Sequence, residues 1–183
     1  MTTIIGISGS LRRGSLNAML LRAAAELAPH DVTIEIASIR GITLYDGDVE
    51  AESGIPAPVQ ELKERIAGAA GLLLVTPEYN NSIPGVFKNA IDWLSRPPGD
   101  IARVFGNRPV ALMGATPGPG GTLLAQTAWL QVLRTLGMRL WPGPRVLMSR
   151  AGKMFDETGR MTDEVLLKQV EEFMSGFSNF IRS

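Results

Sequence analysis

The chain has 183 residues, room for one domain at roughly 100–200 residues each, and it is 45% hydrophobic and 20% charged. That balance excludes disorder and fibrous repeats, and 18 basic against 18 acidic side chains argue against nucleic acid as a partner. With no cysteine and one histidine, His30, the chain has no disulfides, thiolate metal sites or cysteine nucleophile, and little material for a triad or zinc cluster.

The amino terminus, Met1-Thr2-Thr3-Ile4-Ile5-Gly6, has no basic flank ahead of a long apolar stretch. No apolar run approaches the ~18 residues of a membrane span. These features predict a cytoplasmic protein that does not engage a membrane. A strand is predicted over residues 3–8 and a helix over 15–28, then a strand over 32–37. Residues 39–58 are turn-rich and acidic, with Tyr45-Asp46-Gly47-Asp48, and read as a solvated loop rather than a metal site.

A helix over 58–69 leads to a strand over 71–76 whose core, Leu72-Leu73-Leu74-Val75, is continuously apolar, as a buried parallel strand requires. The next helix, 84–95, is preceded by Ser82 as a cap and Pro84 as a preset φ. A second central strand follows over 109–114, then a helix over 121–136. A fifth strand over 139–148 is interrupted by Pro142, Gly143 and Pro144, and a surface loop is expected over 152–159. In the last helix, 162–181, Thr162-Asp163-Glu164 places acid in the first turn, and Leu166, Val170, Phe173, Phe177 and Phe180 form one apolar stripe. Alternating strands and helices in a single domain over residues 1–183 predict an α/β fold around a parallel sheet.

In such a sheet ligands bind beyond the carboxyl ends of the strands, so the loops after strands one, three and four carry the search. The first, Gly9-Ser10-Leu11-Arg12-Arg13-Gly14-Ser15-Leu16-Asn17, opens a helix whose amides and dipole favour an anion. It lacks the lysine of a triphosphate-binding loop and the spacing of a dinucleotide fingerprint. A terminal monophosphate suits it, with Ser10, Ser15 and Asn17 offering hydrogen bonds and Arg12 offering charge, while Arg13 reads as solvated.

The second loop, Thr76-Pro77-Glu78-Tyr79-Asn80-Asn81-Ser82-Ile83-Pro84-Gly85, presents amides and one aromatic ring between two stiffening prolines, suited to a planar ligand. Glu78 has no carboxylate or histidine nearby to tune it as an acid, and a hydrogen bond to loop backbone is the simpler reading. In the third, Gly114-Ala115-Thr116-Pro117-Gly118-Pro119-Gly120-Gly121, glycines allow backbone to approach a ligand closely, although a merely flexible loop would also contain them. No catalytic side chain and no metal set accompanies the three loops, so a cofactor is expected to carry the chemistry.

Gly9-Ser10-Leu11-Arg12 with Ser15 and Asn17, Thr76-Pro77-Glu78-Tyr79-Asn80 running on to Pro84-Gly85, Lys88-Asn89-Ala90-Ile91-Asp92-Trp93, and Gly120-Gly121 together resemble the NAD(P)H-dependent FMN reductase family over nearly the whole chain. That group includes quinone, chromate and azo-dye reductases. The resemblance implies a flavodoxin-like three-layer α/β/α sandwich with a five-stranded sheet of order 2-1-3-4-5, bound FMN, and NADPH or NADH as donor. Quinones, free flavin or similar small molecules would be the acceptors, in ping-pong fashion. It assigns the phosphate to Ser10, Arg12, Ser15 and Asn17, the ribityl chain and ring to Pro77, Glu78, Tyr79 and Asn80, and counts Leu16 and Ser82 among the cofactor-binding residues. Ala115, Thr116, Gly118 and Gly121 would line the pyrimidine side.

Relatives form homodimers or homotetramers with the flavin near the subunit boundary. The chain departs from close quinone reductases at Thr122-Leu123-Leu124-Ala125-Gln126-Thr127-Ala128-Trp129, where those carry basic and aromatic residues. Two other readings stay open: a flavodoxin-type electron carrier, and a two-component reductase that releases reduced flavin to a monooxygenase.

Overall fold

Leu72, Leu73, Leu74 and Val75 are fully buried mid-sheet, as a continuous apolar run demands when helices cover both faces. The computed structural model describes residues 1–183. Its sheet comprises β1 (Thr2–Ser8), β2 (Val32–Ala37), β3 (Gly71–Val75), β4 (Pro109–Ala115), β5 (Arg139–Leu140) and β6 (Val146–Met148), with every pairing parallel. The order is β2-β1-β3-β4-β5, and β6 also pairs with β4.

The helices are α1 (Leu16–Glu26), α2 (Gly47–Ser53), α3 (Ala57–Gly68), α4 (Gly85–Leu94), α5 (Ile101–Val104), α6 (Leu123–Thr135) and α7 (Glu164–Arg182). Because side chains alternate along a strand, Leu72 and Leu74 join a core under α3, α4 and α6, while Leu73 and Val75 join one under α1 and α7. This is the flavodoxin-like three-layer sandwich. The stripe on α7 is core as expected: Val170, Phe173 and Phe177 are buried, with Leu166 and Phe180 packed against them. Asp163 caps that helix, accepting from the Leu166 amide at 3.0 Å. No helix is long and apolar enough to cross a membrane.

Four expectations need correction. The fifth strand is two short strands: β5 pairs with Pro109 and Val110, β6 pairs with Met113 through Ala115, and Pro142-Gly143-Pro144 occupies the break. Proline has no amide for the ladder, so the edge bulges there. The acidic segment 39–58 is not wholly loop, because Asp46 accepts from the Asp48 amide (2.9 Å) and starts α2 with Asp48 and Glu50 in its first turn. None of its residues is buried, so it is a solvated helix. Ser82 does not cap α4; Pro84 sits at the N-cap with no side-chain bond, and Ser82 pairs instead with Tyr79. The expected surface loop at 152–159 contains part of a 3-10 turn, Ala151–Lys153, and of a hairpin bridged by Phe155 and Met161.

The Lys88 to Trp93 motif anchors the start of the acidic segment. Asn89 donates to the Thr43 carbonyl and accepts from the Tyr45 amide, both at 2.8 Å, and the Trp93 indole donates to the same Thr43 carbonyl at 3.0 Å. Tyr45 packs edge-on against Trp93 and donates its hydroxyl to Glu50, which also accepts from Arg96 at 2.7 Å. The Arg96 hydrogen bond holds the Glu50 carboxyl below its ordinary value, and donation to Glu50 pushes the Tyr45 phenol up.

Candidate functional site

The first loop leaves β1 through Gly9, whose amide donates to the Val75 carbonyl at 2.9 Å. Phe87 of α4 lies against it: a Cβ at Gly9 would fall 2.1 Å from the ring, so only glycine fits without movement. Ser15 caps α1, accepting from the Ala18 amide at 3.2 Å, and its hydroxyl hydrogen remains available to a ligand. The amides of Leu16 and Asn17, in the first helical turn, have no internal partner. Ser10, the exposed Arg12 guanidinium and the positive end of the helix dipole stand beside them, a donor set of the kind an anion requires. Arg40, unnoticed in the sequence, braces the loop by donating to the Leu11 carbonyl at 2.6 Å.

Asn17 departs from the expectation that its side chain serves a phosphate. It is 4% exposed, its Nδ2 donates to the Ala115 carbonyl (2.8 Å), and its Oδ1 accepts from the Ala115 amide (2.9 Å). The side chain therefore clamps the start of α1 to the end of β4. What Asn17 offers an anion is its backbone N–H.

In the second loop, Tyr79 and Ser82 exchange backbone hydrogen bonds of 3.1 and 3.0 Å around Asn80 (φ 50°) and Asn81 (φ 61°). Two successive residues at positive φ make a tight turn of the type that asparagine tolerates. This explains the paired asparagines, and it carries Asn80 and Ser82 out to an exposed tip. Glu78 takes the backbone hydrogen bond: its Oε2 accepts from the Ala125 amide in the first turn of α6 at 2.9 Å. The carboxylate thereby ties this loop to the next element and complements the helix dipole. Thr76 is buried beneath, accepting from the Trp129 indole at 3.1 Å.

The third loop is braced rather than floppy. Thr116 donates its amide to the Met148 carbonyl and accepts from Ala151, both at 2.9 Å, and the Gly118 carbonyl accepts from Arg150 at 2.8 Å. A Cβ on Gly114 would fall 2.1 Å from Thr122 Oγ1, and one on Gly121, at φ +59°, would fall 2.7 Å from the Leu147 carbonyl. These two glycines serve packing.

The three loops converge on one cleft. Ser10, Arg12, Ser15, Leu16 and Asn17 of the first loop, Pro77, Glu78 and Tyr79 of the second, and Ala115 and Thr116 of the third line it together with Pro117, which carried no signal in the sequence. Asn80, Ser82, Gly118 and Gly121 are not among the lining residues; they build the turns that hold it. The cleft suits FMN by its donor set. Its donors at the start of α1 match a phosphate, and the amides of Glu78 and Gly120 in the second and third loops lack internal partners. Glu78 is the only carboxylate in the lining.

Residues 2–153 match the family described as NADPH-dependent FMN reductase. The chain is 41% identical over 179 residues to an NAD(P)H-dependent FMN reductase of Pseudomonas aeruginosa, covering 98% of this chain and 95% of that one. It is 36% identical over 181 residues to a quinone reductase of Escherichia coli, with the same coverage of 98% and 95%. Among solved structures, FerB of Paracoccus denitrificans, a flavoenzyme NAD(P)H:(acceptor) oxidoreductase, superposes with a TM-score of 0.89 at 32% identity, covering 100% of this chain and 98% of that one. The cleft, the fold and these full-length similarities agree, and the chain belongs to the NADPH-dependent FMN reductase family.

Proposed function

We propose that this chain is a cytoplasmic oxidoreductase that holds FMN in the cleft and uses NADPH or NADH to reduce quinones, free flavin or similar small acceptors. The observation that carries this reading is the convergence of a helix-terminal anion site and two braced loops on one cleft. When bound, FMN supplies hydride acceptance and electron delivery. The protein's own groups bind and orient. Ser10, Arg12, Ser15 and the amides of Leu16 and Asn17 hold the phosphate. Pro77, Glu78 and Tyr79 flank the ribityl chain and ring, and Ala115 with Thr116 supports the pyrimidine side, where backbone amides favour the negative charge of the reduced ring.

The Asn17 clamp sets the spacing between the phosphate end and the third loop, and the Glu78 hydrogen bond keeps the second and third loops in register. Tyr79, 45% exposed, stands free to meet whatever covers the ring. Donor and acceptor enter through the same mouth in turn, which gives ping-pong kinetics. The exposed apolar side chains Val86 on α4 and Leu123 and Leu124 at the start of α6 support a homodimer or homotetramer built over these helices. Sedimentation of the purified protein reads that assembly directly.

An absorption spectrum before and after anaerobic NADPH tests the function. A bound-flavin band that bleaches on addition supports it. A colourless protein that takes up no FMN and oxidises no NAD(P)H refutes it. An electron carrier would barely oxidise NAD(P)H without a protein partner, and a two-component reductase would lose its flavin during turnover at dilute protein.

A further inference from the structure

Trp129 is a fully buried side chain of α6 that reaches the base of two cleft loops. Its ring packs edge-on against Phe87, with centroids 4.9 Å apart, and Phe87 in turn closes on Gly9 of the first loop. Its indole N–H donates to the Thr76 hydroxyl, at the start of the second loop, at 3.1 Å. The helix that carries it is itself fixed. Gln126, also fully buried, donates to the Val146 carbonyl of β6 at 3.0 Å.

An indole nitrogen can only donate, so the Thr76 oxygen must accept from Trp129 and its own hydrogen is left for another acceptor. That acceptor is the Pro77 carbonyl, 2.8 Å away. No other group donates to this carbonyl, and Thr76 and Pro77 are both buried. The relay therefore runs one way, from Trp129 through Thr76 to Pro77.

The Pro77 carbonyl and the Glu78 amide belong to one peptide unit, which is planar and trans. In such a unit the C=O and N–H bonds point in opposite directions. Holding the carbonyl inward against Thr76 turns the Glu78 N–H outward, and that amide has no internal partner in a residue that lines the cleft. The Glu78 carboxylate is held at the same time by the Ala125 amide, one helical turn before Trp129. Thus α6 grips this residue twice. A rotated peptide would take the acceptor from Thr76 and present a carbonyl, not a donor, to a ligand.

We infer that Trp129 and Thr76 are positioning residues that aim the Glu78 N–H at the flavin ring, where it favours the negative charge of the reduced form. The inference rests on the reductase reading above and adds to it a buried device that sets the potential of the cofactor. Neither side chain touches the cleft, so both act through the peptide they orient.

The test compares T76V, which keeps the shape and removes the hydroxyl, with T76S, which keeps the hydroxyl. Titration of the flavin-free proteins should show T76V binding FMN and riboflavin more weakly by the same factor, about three- to tenfold, because the phosphate donors at the start of α1 are untouched. The midpoint potential of bound FMN should fall by about 30 mV, equivalent to a tenfold larger loss for the reduced ring. T76S should return both readouts to the parent values. W129F removes the indole N–H and keeps a buried ring beside Phe87, and it should move both in the same direction by a smaller factor. In the parent protein, which needs no variant to fold, the Glu78 amide should exchange its hydrogen rapidly without flavin and be protected once FMN is bound. A Glu78 amide left unprotected by FMN overturns the inference. So does a T76V protein that keeps the parent's riboflavin affinity and potential, or one that weakens for FMN alone. A parent protein that takes up no FMN refutes the reductase reading itself.

Discussion

Replacing Asn17 by alanine separates a structural clamp from a phosphate ligand. The side chain makes two hydrogen bonds to the backbone of one residue, Ala115, which lies 98 positions away. Its removal leaves an amide and a carbonyl at the buried end of β4 without partners. A typical hydrogen bond contributes about 0.5–1.5 kcal/mol net, and a stranded buried polar group costs about 1–3 kcal/mol. Allowing for partial solvation of the opened cleft, N17A should lose about 2–4 kcal/mol. For a chain of this size that lowers Tm by about 4–16 °C.

The assay is thermal and urea unfolding of the flavin-free protein, followed by FMN titration. Apo stability should fall first, and FMN affinity should fall with it because the loop of Ala115 and Thr116 is no longer tied to α1. N17D sharpens the test. Its carboxylate can accept from the Ala115 amide but opposes the Ala115 carbonyl, and it places negative charge beside the anion site. It should therefore bind FMN more weakly than N17A. An apo N17A that melts with the parent protein, yet binds FMN poorly, would refute the clamp and return the side chain to the phosphate.

Gly9→Ala should cost about 1–3 kcal/mol by overpacking, because Phe87 is buried edge-on against Trp129 at 4.9 Å and has little room to retreat. Adding F87L should recover part of the lost Tm, and no recovery would place the strain elsewhere. Glu78→Gln keeps a hydrogen bond to Ala125 but removes the charge facing the α6 dipole, a loss of about 0.3–1 kcal/mol in urea unfolding. The pH profile of turnover should not change, and loss of a limb would give Glu78 a proton-transfer role. Hydrogen bonds from Arg96, Arg103 and Lys63 respectively hold Glu50, Glu64 and Asp100 below their ordinary values of 4.5, 4.5 and 3.8. Groups lowered on folding stabilise the protein above their unfolded values, and that stability is lost as pH falls through the folded ones. Stability measured by urea midpoint should therefore be level near neutrality and fall below about pH 4.5. Lys63→Met should flatten the acid limb, and an unchanged limb would dismiss the Lys63–Asp100 pair, 2.6 Å apart, as its source.

The loops that form the cleft were legible in the sequence because their chemistry is local. Hydroxyls and a guanidinium ahead of a helix announce an anion site, and Asn80-Asn81 announces a tight turn once the flanking residues are known to pair. The roles of single side chains were less legible. Asn17 and Glu78 sit in binding-type motifs, yet both make backbone hydrogen bonds to partners 98 and 47 residues away. Arg40 and Phe87 brace the first loop without any sequence signal that they should. The break between β5 and β6 could be read from Pro142 and Pro144, but α2 could not be read from an acidic, turn-rich segment. Its apolar side chains are too few to show a period, and a cap and first-turn acids decide it.

By itself the sequence determined the class of fold, the strand ends to search, and the family. Apolar runs of strand length between amphipathic helices admit only a sheet covered on both faces, and such a sheet places its ligand at the carboxyl ends. Only the tertiary structure decided which polar groups remain free for a ligand. A side chain that can donate or accept will first satisfy whatever buried backbone packing brings to it. Thus Asn17 was drawn to Ala115 and Glu78 to Ala125, while Arg12 was left to face solvent.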